Sequence, residues 1–205
     1  MFAKVIPIIS IVLFLTSCTS SLNSRLSKDD RGNTRYNGSY KIGQAYEKKG
    51  VEYIPKKALH YDQVGFASWY GKKHGFHGKK TANGDKYNKS LLTAAHPTLP
   101  MPSLVKVTNI KTHKSLIVMI NDRGPFSKNR IIDVSERTAD ILGFKQQGVA
   151  KVRVEYLPHA TQGLLNKLAL TPKEGSRTKK KVKDPTCSVN CYIKLVNMEH
   201  KYHEF

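Results

Sequence analysis

The sequence predicts a mainly-β fold, a small barrel with one or two short helices over residues 62–157, flanked by flexible tails. Three observations carry that prediction. β-rich runs bounded by Gly, Pro and Asn crowd into this stretch. Val152, Val154 and Tyr156 alternate with Lys151, Arg153 and Glu155, the period of a half-buried strand. On either side, apolar periodicity gives way to Ser-, Asn- and Lys-rich sequence. A chain of 205 residues holds one domain of ordinary size plus tails. Its mean hydropathy of −0.46 excludes a polytopic membrane protein. Three Cys are too few to staple a disulfide-built miniprotein.

Taken in order, Met1-Phe2-Ala3-Lys4 precedes an apolar run from Val5 to Leu15. As a helix that run spans about 16 Å, roughly half the hydrocarbon core of a bilayer, so it reads as a secretory signal and not as a span. Residues 18–40 read as a flexible tether and 41–61 as a lead-in segment, with scattered Ile, Tyr and Val. Within the domain, Phe66–Tyr70, Leu104–Thr108 and Ser115–Ile120 are strand candidates. Val134, Thr138, Ile141 and Leu142 fall on one helical face, with Ser135 placed to cap it and Gly143 to end it. Residues 158–205 read as a basic linker and largely disordered tail, although Gly163–Leu170 has helical character.

The segment Leu15-Thr16-Ser17-Cys18 resembles a bacterial lipobox. That resemblance implies lipidation of Cys18, residues 1–17 as the signal peptide, and an outer-membrane lipoprotein facing the periplasm, because Thr19 is not Asp. Several acyl chains anchor a protein durably. The formal charge of +20 would otherwise suggest nucleic acid. In the periplasm, anionic headgroups and wall carboxylates are the polyanions at hand, and no nucleic acid partner is expected. A solvated basic surface accounts for the charge equally well.

Three polar segments sit beside turn residues: Gly78–Tyr87, Leu92–Pro100 and Ile120–Phe126. Asp122 ends a strongly apolar strand candidate, where desolvation raises a carboxyl pKa and suits it to general-acid work. Asp85 and His96 supply a second carboxylate and an imidazole, the kind of set that serves glycosidic-bond cleavage. On residue type alone, Asp122-Arg123-Gly124-Pro125 is also readable as a turn with a local ion pair, and His96 as a buried histidine satisfied by backbone.

Gly65-Phe66-Ala67-Ser68-Trp69-Tyr70-Gly71, Phe76-His77-Gly78, Thr81-Ala82-Asn83-Gly84, Leu92-Thr93-Ala94-Ala95-His96 and Asn121-Asp122-Arg123-Gly124-Pro125-Phe126 occur in that order. Together they resemble the rare lipoprotein A family of septal lytic transglycosylases. The resemblance implies a six-stranded double-psi β barrel, the expansin and barwin fold, over residues 62–157. It implies cofactor-free endolytic cleavage of peptidoglycan between N-acetylmuramic acid and N-acetylglucosamine, leaving 1,6-anhydro ends and favouring strands without stem peptides. It assigns catalysis to Asp122, His96 and Asp85, with Asp85 standing where the family usually has Glu. Trp69 and Tyr70 are candidates for a sugar platform or for filling the barrel, and Asn121 and Arg123 for substrate binding. The implied partners are glycan strands, the membrane through the lipid anchor, and division-site proteins. The residues after Leu157 are too few and too basic for the glycan-binding C-terminal domain that many members carry.

Two other readings stand beside this one: a non-catalytic expansin-like module that grips peptidoglycan, and a lipoprotein that tethers membrane to wall. Cys187 and Cys191 are spaced for a local disulfide, which an oxidising compartment favours. With His200 and His203 they also offer zinc-type ligands, and free thiols are a third state. His74 and His77, each followed by Gly, fit a turn better than a metal site, and no metal is expected.

Overall fold

A computed structural model describes residues 36–58, 60–71, 76–170, 192–194 and 196–198. Cys18, His74, Cys187, Cys191, His200 and His203, and with them the lipidation, disulfide and zinc readings, lie outside the described residues.

The barrel strands are β3 (Asp62–Trp69), β4 (Thr93–Ala95), β5 (Ser103–Asn109), β6 (Ser115–Asp122), β7 (Arg130–Val134) and β8 (Val149–Tyr156). They close in the order β3-β7-β4-β6-β5-β8, with β3–β7 and β4–β6 parallel and the other four pairings antiparallel. This is the six-stranded double-psi arrangement that the motifs imply. Closure leaves no unpaired barrel edge. β1 (Tyr46–Lys48) and β2 (Val51–Tyr53) form a separate antiparallel hairpin.

The strands that alternate in sequence are the ones that do so in space. On β8, Val152 and Val154 are fully buried while Lys151 and Arg153 face solvent. β6 departs from alternation because both of its faces are covered, and Ile117 through Asn121 are all buried. Leu104, Val105, Val107, Ile117, Met119 and Ile132 fill the interior. α1 (Glu136–Ile141) follows the expected design: Ser135 Oγ accepts from Thr138 N at 3.2 Å and caps it. Gly143 then takes a φ of 78°, a conformation that costs glycine nothing.

Four departures from the sequence reading have physical causes. Val134 ends β7 and does not belong to the helical face, because it pairs with Trp69 and Ala94 in the barrel wall. β4 and β7 are too short to show a period. Residues 36–40 of the expected tether, and Lys41 at the start of the lead-in segment, are docked: Ser39 N donates to Asn83 O at 2.9 Å, and Lys41 exchanges backbone bonds with Met101 at 2.7 and 2.9 Å. The region after Leu157 is partly folded. α2 (Pro158–Lys167) begins with Pro in the first turn, and buries Thr161, Leu164 and Leu165. Thr161 Oγ1 accepts from Leu104 N at 2.9 Å.

Residues 192–194 and 196–198 are helical and also packed, with Ile193 only 1% exposed. Asn197 grips the backbone of β6: its Oδ1 accepts from Ile117 N at 2.7 Å and its Nδ2 donates to Ile117 O at 2.9 Å. Removing both bonds leaves a strand amide and carbonyl without partners, which costs about 1–3 kcal/mol. Asn197→Ala is therefore expected to lower unfolding free energy by about that amount, read by urea denaturation. An unchanged midpoint would show that the Asn197 bonds contribute nothing to the barrel's stability.

Candidate active site

β4 and β6 run parallel until Ala94 pairs with Ile120. The register then shifts, so that Ala95 opposes Asp122 and Asn121 is the extra residue. Such a bulge turns the end of a strand and re-aims its side chains. Asp122 thereby points away from the barrel filling that its apolar predecessors provide.

The Asp122 carboxyl is asymmetric. Oδ1 accepts from Ala82 N at 2.9 Å and from Arg123 N at 2.8 Å. Among the described residues Oδ2 takes no donor, and Asp122 is only half-buried. Burial raises the pKa of the group, and the two amides and the Arg123 charge pull back only part of that rise. With Oδ1 held by two amides, Oδ2 is the oxygen left to exchange a proton with a bound group. Asp133 also has a raised pKa from burial, yet its carboxyl is occupied by Ser68 Oγ at 2.6 Å and Arg130 Nη1 at 3.0 Å. Among the described residues both carboxyls take their donors on Oδ1; those of Asp133 are side chains, one of them an ion-pair partner, whereas those of Asp122 are backbone amides.

Asp85 is buried at the tip of the Thr81–Asp85 turn. Its Oδ1 accepts from Asn37 N at 3.3 Å, and its Oδ2 faces Asn121 Nδ2 at 3.5 Å. Burial raises its pKa as well. Asn121 thus links the two carboxylates, through its side chain to Asp85 and through the peptide chain to Asp122. Its own Oδ1 is buried without a partner.

His96 lies 2% exposed and belongs to the scaffold around the site. Its Nδ1 accepts from Thr98 N at 3.2 Å and Leu99 N at 3.0 Å, which places the proton on Nε2. Nε2 meets no hydrogen-bond partner, and the ring makes a T-shaped contact with Tyr61 at 4.8 Å. Burial, with the Arg123 charge, lowers its pKa to about 3, so the imidazole is neutral at pH 7. Among the described residues no side-chain hydrogen bond joins His96 or Asp85 to Asp122. His96 reaches Asp122 through backbone, its N donating to Asp122 O at 3.1 Å.

The candidate binding residues separate. Tyr70 packs its ring 4.4 Å from that of Tyr87, and its hydroxyl is buried without a partner among the described residues; burial raises its pKa, and the Asp122 charge adds to that rise. Trp69 points elsewhere, its Nε1 donating to Lys145 O at 3.0 Å beyond α1. Arg123 binds the protein itself. Its Nη1 donates to His96 O at 3.2 Å and Leu99 O at 2.6 Å, and its Nη2 to Ile42 O at 2.5 Å.

Three contributors escaped the sequence reading: the Ala82 amide, Tyr36 and Tyr61. The Thr81-Ala82-Asn83-Gly84 turn was the available signal for the amide. Nothing in the sequence marked Tyr36, whose Oη accepts from Asn83 Nδ2 at 2.7 Å. No cluster of His, Cys, Asp or Glu among the described residues has the arrangement of a metal site.

The structure is thus a closed six-stranded β barrel with an amide-held acid at the end of β6. The family model described as lytic transglycolase matches residues 62–154. The endolytic peptidoglycan transglycosylase RlpA of Rickettsia felis is 50% identical over 97% of this chain and 96% of its own length. The protein of the same name from Rickettsia bellii is 46% identical over 98% and 96%. Among solved structures, Streptomyces papain inhibitor matches 50% of this chain and 99% of its own, at 18% identity and a TM-score of 0.41. The chain belongs to the rare lipoprotein A family.

Two outcomes are expected from the buried groups. The neutral His96 adds stability that is fully present above its unfolded pKa near 6.5, and that is lost as pH falls toward about 3. In His96→Asn, whose Oδ1 can accept the same amides, the acid-side loss of melting temperature should shrink relative to the parent; equal acid limbs would exclude a buried neutral imidazole. Arg123→Lys cannot reach three carbonyls, and is expected to cost about 1.5–3 kcal/mol per bond lost, measured by chemical denaturation.

Proposed function

We propose that this chain is an endolytic peptidoglycan lytic transglycosylase that cleaves the bond between N-acetylmuramic acid and N-acetylglucosamine. The observation that carries the reading is the Asp122 carboxyl: raised pKa, Oδ1 pinned by two backbone amides, and no donor to Oδ2 among the described residues. Its relatives' names, endolytic peptidoglycan transglycosylase, support the same chemistry.

The reaction runs without added water. Protonated Oδ2 donates to the glycosidic oxygen as the bond from that oxygen to the muramic anomeric carbon breaks. The 6-hydroxyl oxygen of the same muramic ring bonds to that carbon, and its proton returns to Oδ2. The products are a 1,6-anhydromuramic end and a free 4-hydroxyl on the departing glucosamine, with Asp122 regenerated. The amide pair on Oδ1 keeps the carboxylate in one orientation through both proton transfers. Asp85, held by Asn37 and Asn121, provides negative charge beside the developing oxocarbenium ion and positions Asn121. Neutral His96 acts as a positioning residue by fixing the 96–99 loop on which Arg123 closes.

In the cell this reading places the protein on the outer membrane, anchored through lipidated Cys18 and acting on periplasmic wall. The support is the Leu15-Thr16-Ser17-Cys18 segment. Strands without stem peptides are the favoured substrate, and daughter-cell separation with division-site proteins is the setting.

The test is incubation of the full-length chain with denuded glycan strands, with products read by mass spectrometry. Anhydro-ended fragments are expected from the parent. Asp122→Asn, which keeps the amide contacts but cannot cycle the proton, should lose about 10²–10⁴-fold in rate. Cleavage should also fall as pH rises past the raised Asp122 pKa. Undiminished cleavage by Asp122→Asn, or strands bound but never cut by the parent, would replace the transglycosylase with a glycan-gripping module.

A further inference from the structure

The β1–β2 hairpin stands apart from the barrel sheet and is fastened to the loops that flank the acid. Tyr46 Oη donates to Pro97 O at 2.8 Å, next to His96. Tyr46 and Tyr53, paired across the hairpin, stack with centroids 5.3 Å apart. Phe126, on the loop leaving Asp122, meets both rings edge-on at 6.1 and 5.7 Å. Alternation puts Val51 and Lys48 on the Tyr46–Tyr53 face, and turns Glu47 and Glu52 to the other.

Between the hairpin tip and the loop after Phe126 lies an open cleft of about 360 Å³ lined by Lys49, Val51, Tyr53, Phe126, Ser127 and Lys128. Val51 is 41% exposed in it, and no acidic side chain lines it. None of the ion pairs among the described residues uses Lys49 or Lys128. Lys49 also sits at a φ of 55° ahead of Gly50 at 72°, the two-residue turn in which Asn-Gly is the preferred pair.

We propose that this cleft is a binding subsite for a carboxylate-bearing sugar of the glycan strand, continuous with the catalytic loop. An aromatic and aliphatic floor suits the C–H face of a pyranose ring. Two lysines line it that enter no ion pair among the described residues, and their charge suits a carboxylate. In a glycan strand without stem peptides, the lactyl ether of each muramic residue ends in a free carboxylate. When a stem peptide is attached, that carboxyl is an amide and carries no charge at this position. The cleft therefore recognises muramic acid by the group that loss of the stem peptide uncovers. The inference rests on the peptidoglycan reading above, and its test reads binding so that the two stand or fall separately.

The probe is a denuded tetrasaccharide of alternating N-acetylglucosamine and N-acetylmuramic acid, compared with its lactyl methyl ester. Calorimetry is done on the full-length chain carrying Asp122→Asn, so that nothing is cleaved. The free acid should bind about tenfold more tightly than the ester. Adding Lys49→Asn and Lys128→Gln should abolish that difference while the ester's affinity stays the same. Because Asn-Gly suits the turn, the melting temperature should hold or rise, which separates lost recognition from lost folding. Equal affinity for acid and ester, or a preference that survives both lysine substitutions, overturns the subsite. Whether the unsubstituted chain cuts the tetrasaccharide is a separate readout that tests the transglycosylase alone.

Discussion

The Arg123 guanidinium is the constraint on which the site depends. It donates to the carbonyls of Ile42, His96 and Leu99, and so joins the lead-in segment, the 96–99 loop and the end of β6 at one side chain. Burial disfavours its charge, and the carbonyls offset that loss with charge-assisted hydrogen bonds. Its neighbour Asp122 forms no ion pair with this guanidinium, whose hydrogen bonds among the described residues go to backbone carbonyls. Had the guanidinium turned to Asp122, the resulting ion pair would hold the acid deprotonated. Backbone carbonyls that compete for Arg123 are what leave Asp122 able to carry a proton.

Around that clamp the site is built mostly from backbone. Two amides hold Asp122, two hold His96, and one holds Asp85. Each amide comes from a turn or loop whose position is set by the barrel wall behind it. The chemistry is therefore sensitive to loop register more than to side-chain identity, apart from the acid itself. The β6 bulge belongs to the same logic, since one extra residue in a strand decides which oxygen of Asp122 faces outward.

Much of this was legible in the sequence, and what was not has a common cause. The alternation on β8, the apolar run of β6 ending in Asn121-Asp122, and the Ser135 to Gly143 helix are local patterns, and local patterns survive in sequence. β4 and β7 escaped because strands of three and five residues are stabilised by parallel neighbours far away in the chain. Arg123 beside Asp122 invited an ion-pair or substrate-binding reading, because the carbonyls that claim it are 24 to 81 residues distant. Trp69 and Tyr70 were indistinguishable until the barrel gave each a side. His96 shows the reverse case in part, since the backbone-satisfied reading available from its type describes Nδ1 while Nε2 is buried without a partner among the described residues.

Residues 36–41 meet the barrel at the active site and not at its back. Asn37 N holds Asp85, Tyr36 Oη holds Asn83, and Ser39 pairs with Asn83. Any tension transmitted along the chain from upstream of Tyr36 reaches these bonds before it reaches a barrel strand. They are few and short-ranged, whereas β3 is zipped to β7 and β8 along its length. Under load, the geometry of Asp85 would give way while the barrel stayed folded, so mechanical pull on the N-terminal side and the shape of the catalytic turn are one coupled variable.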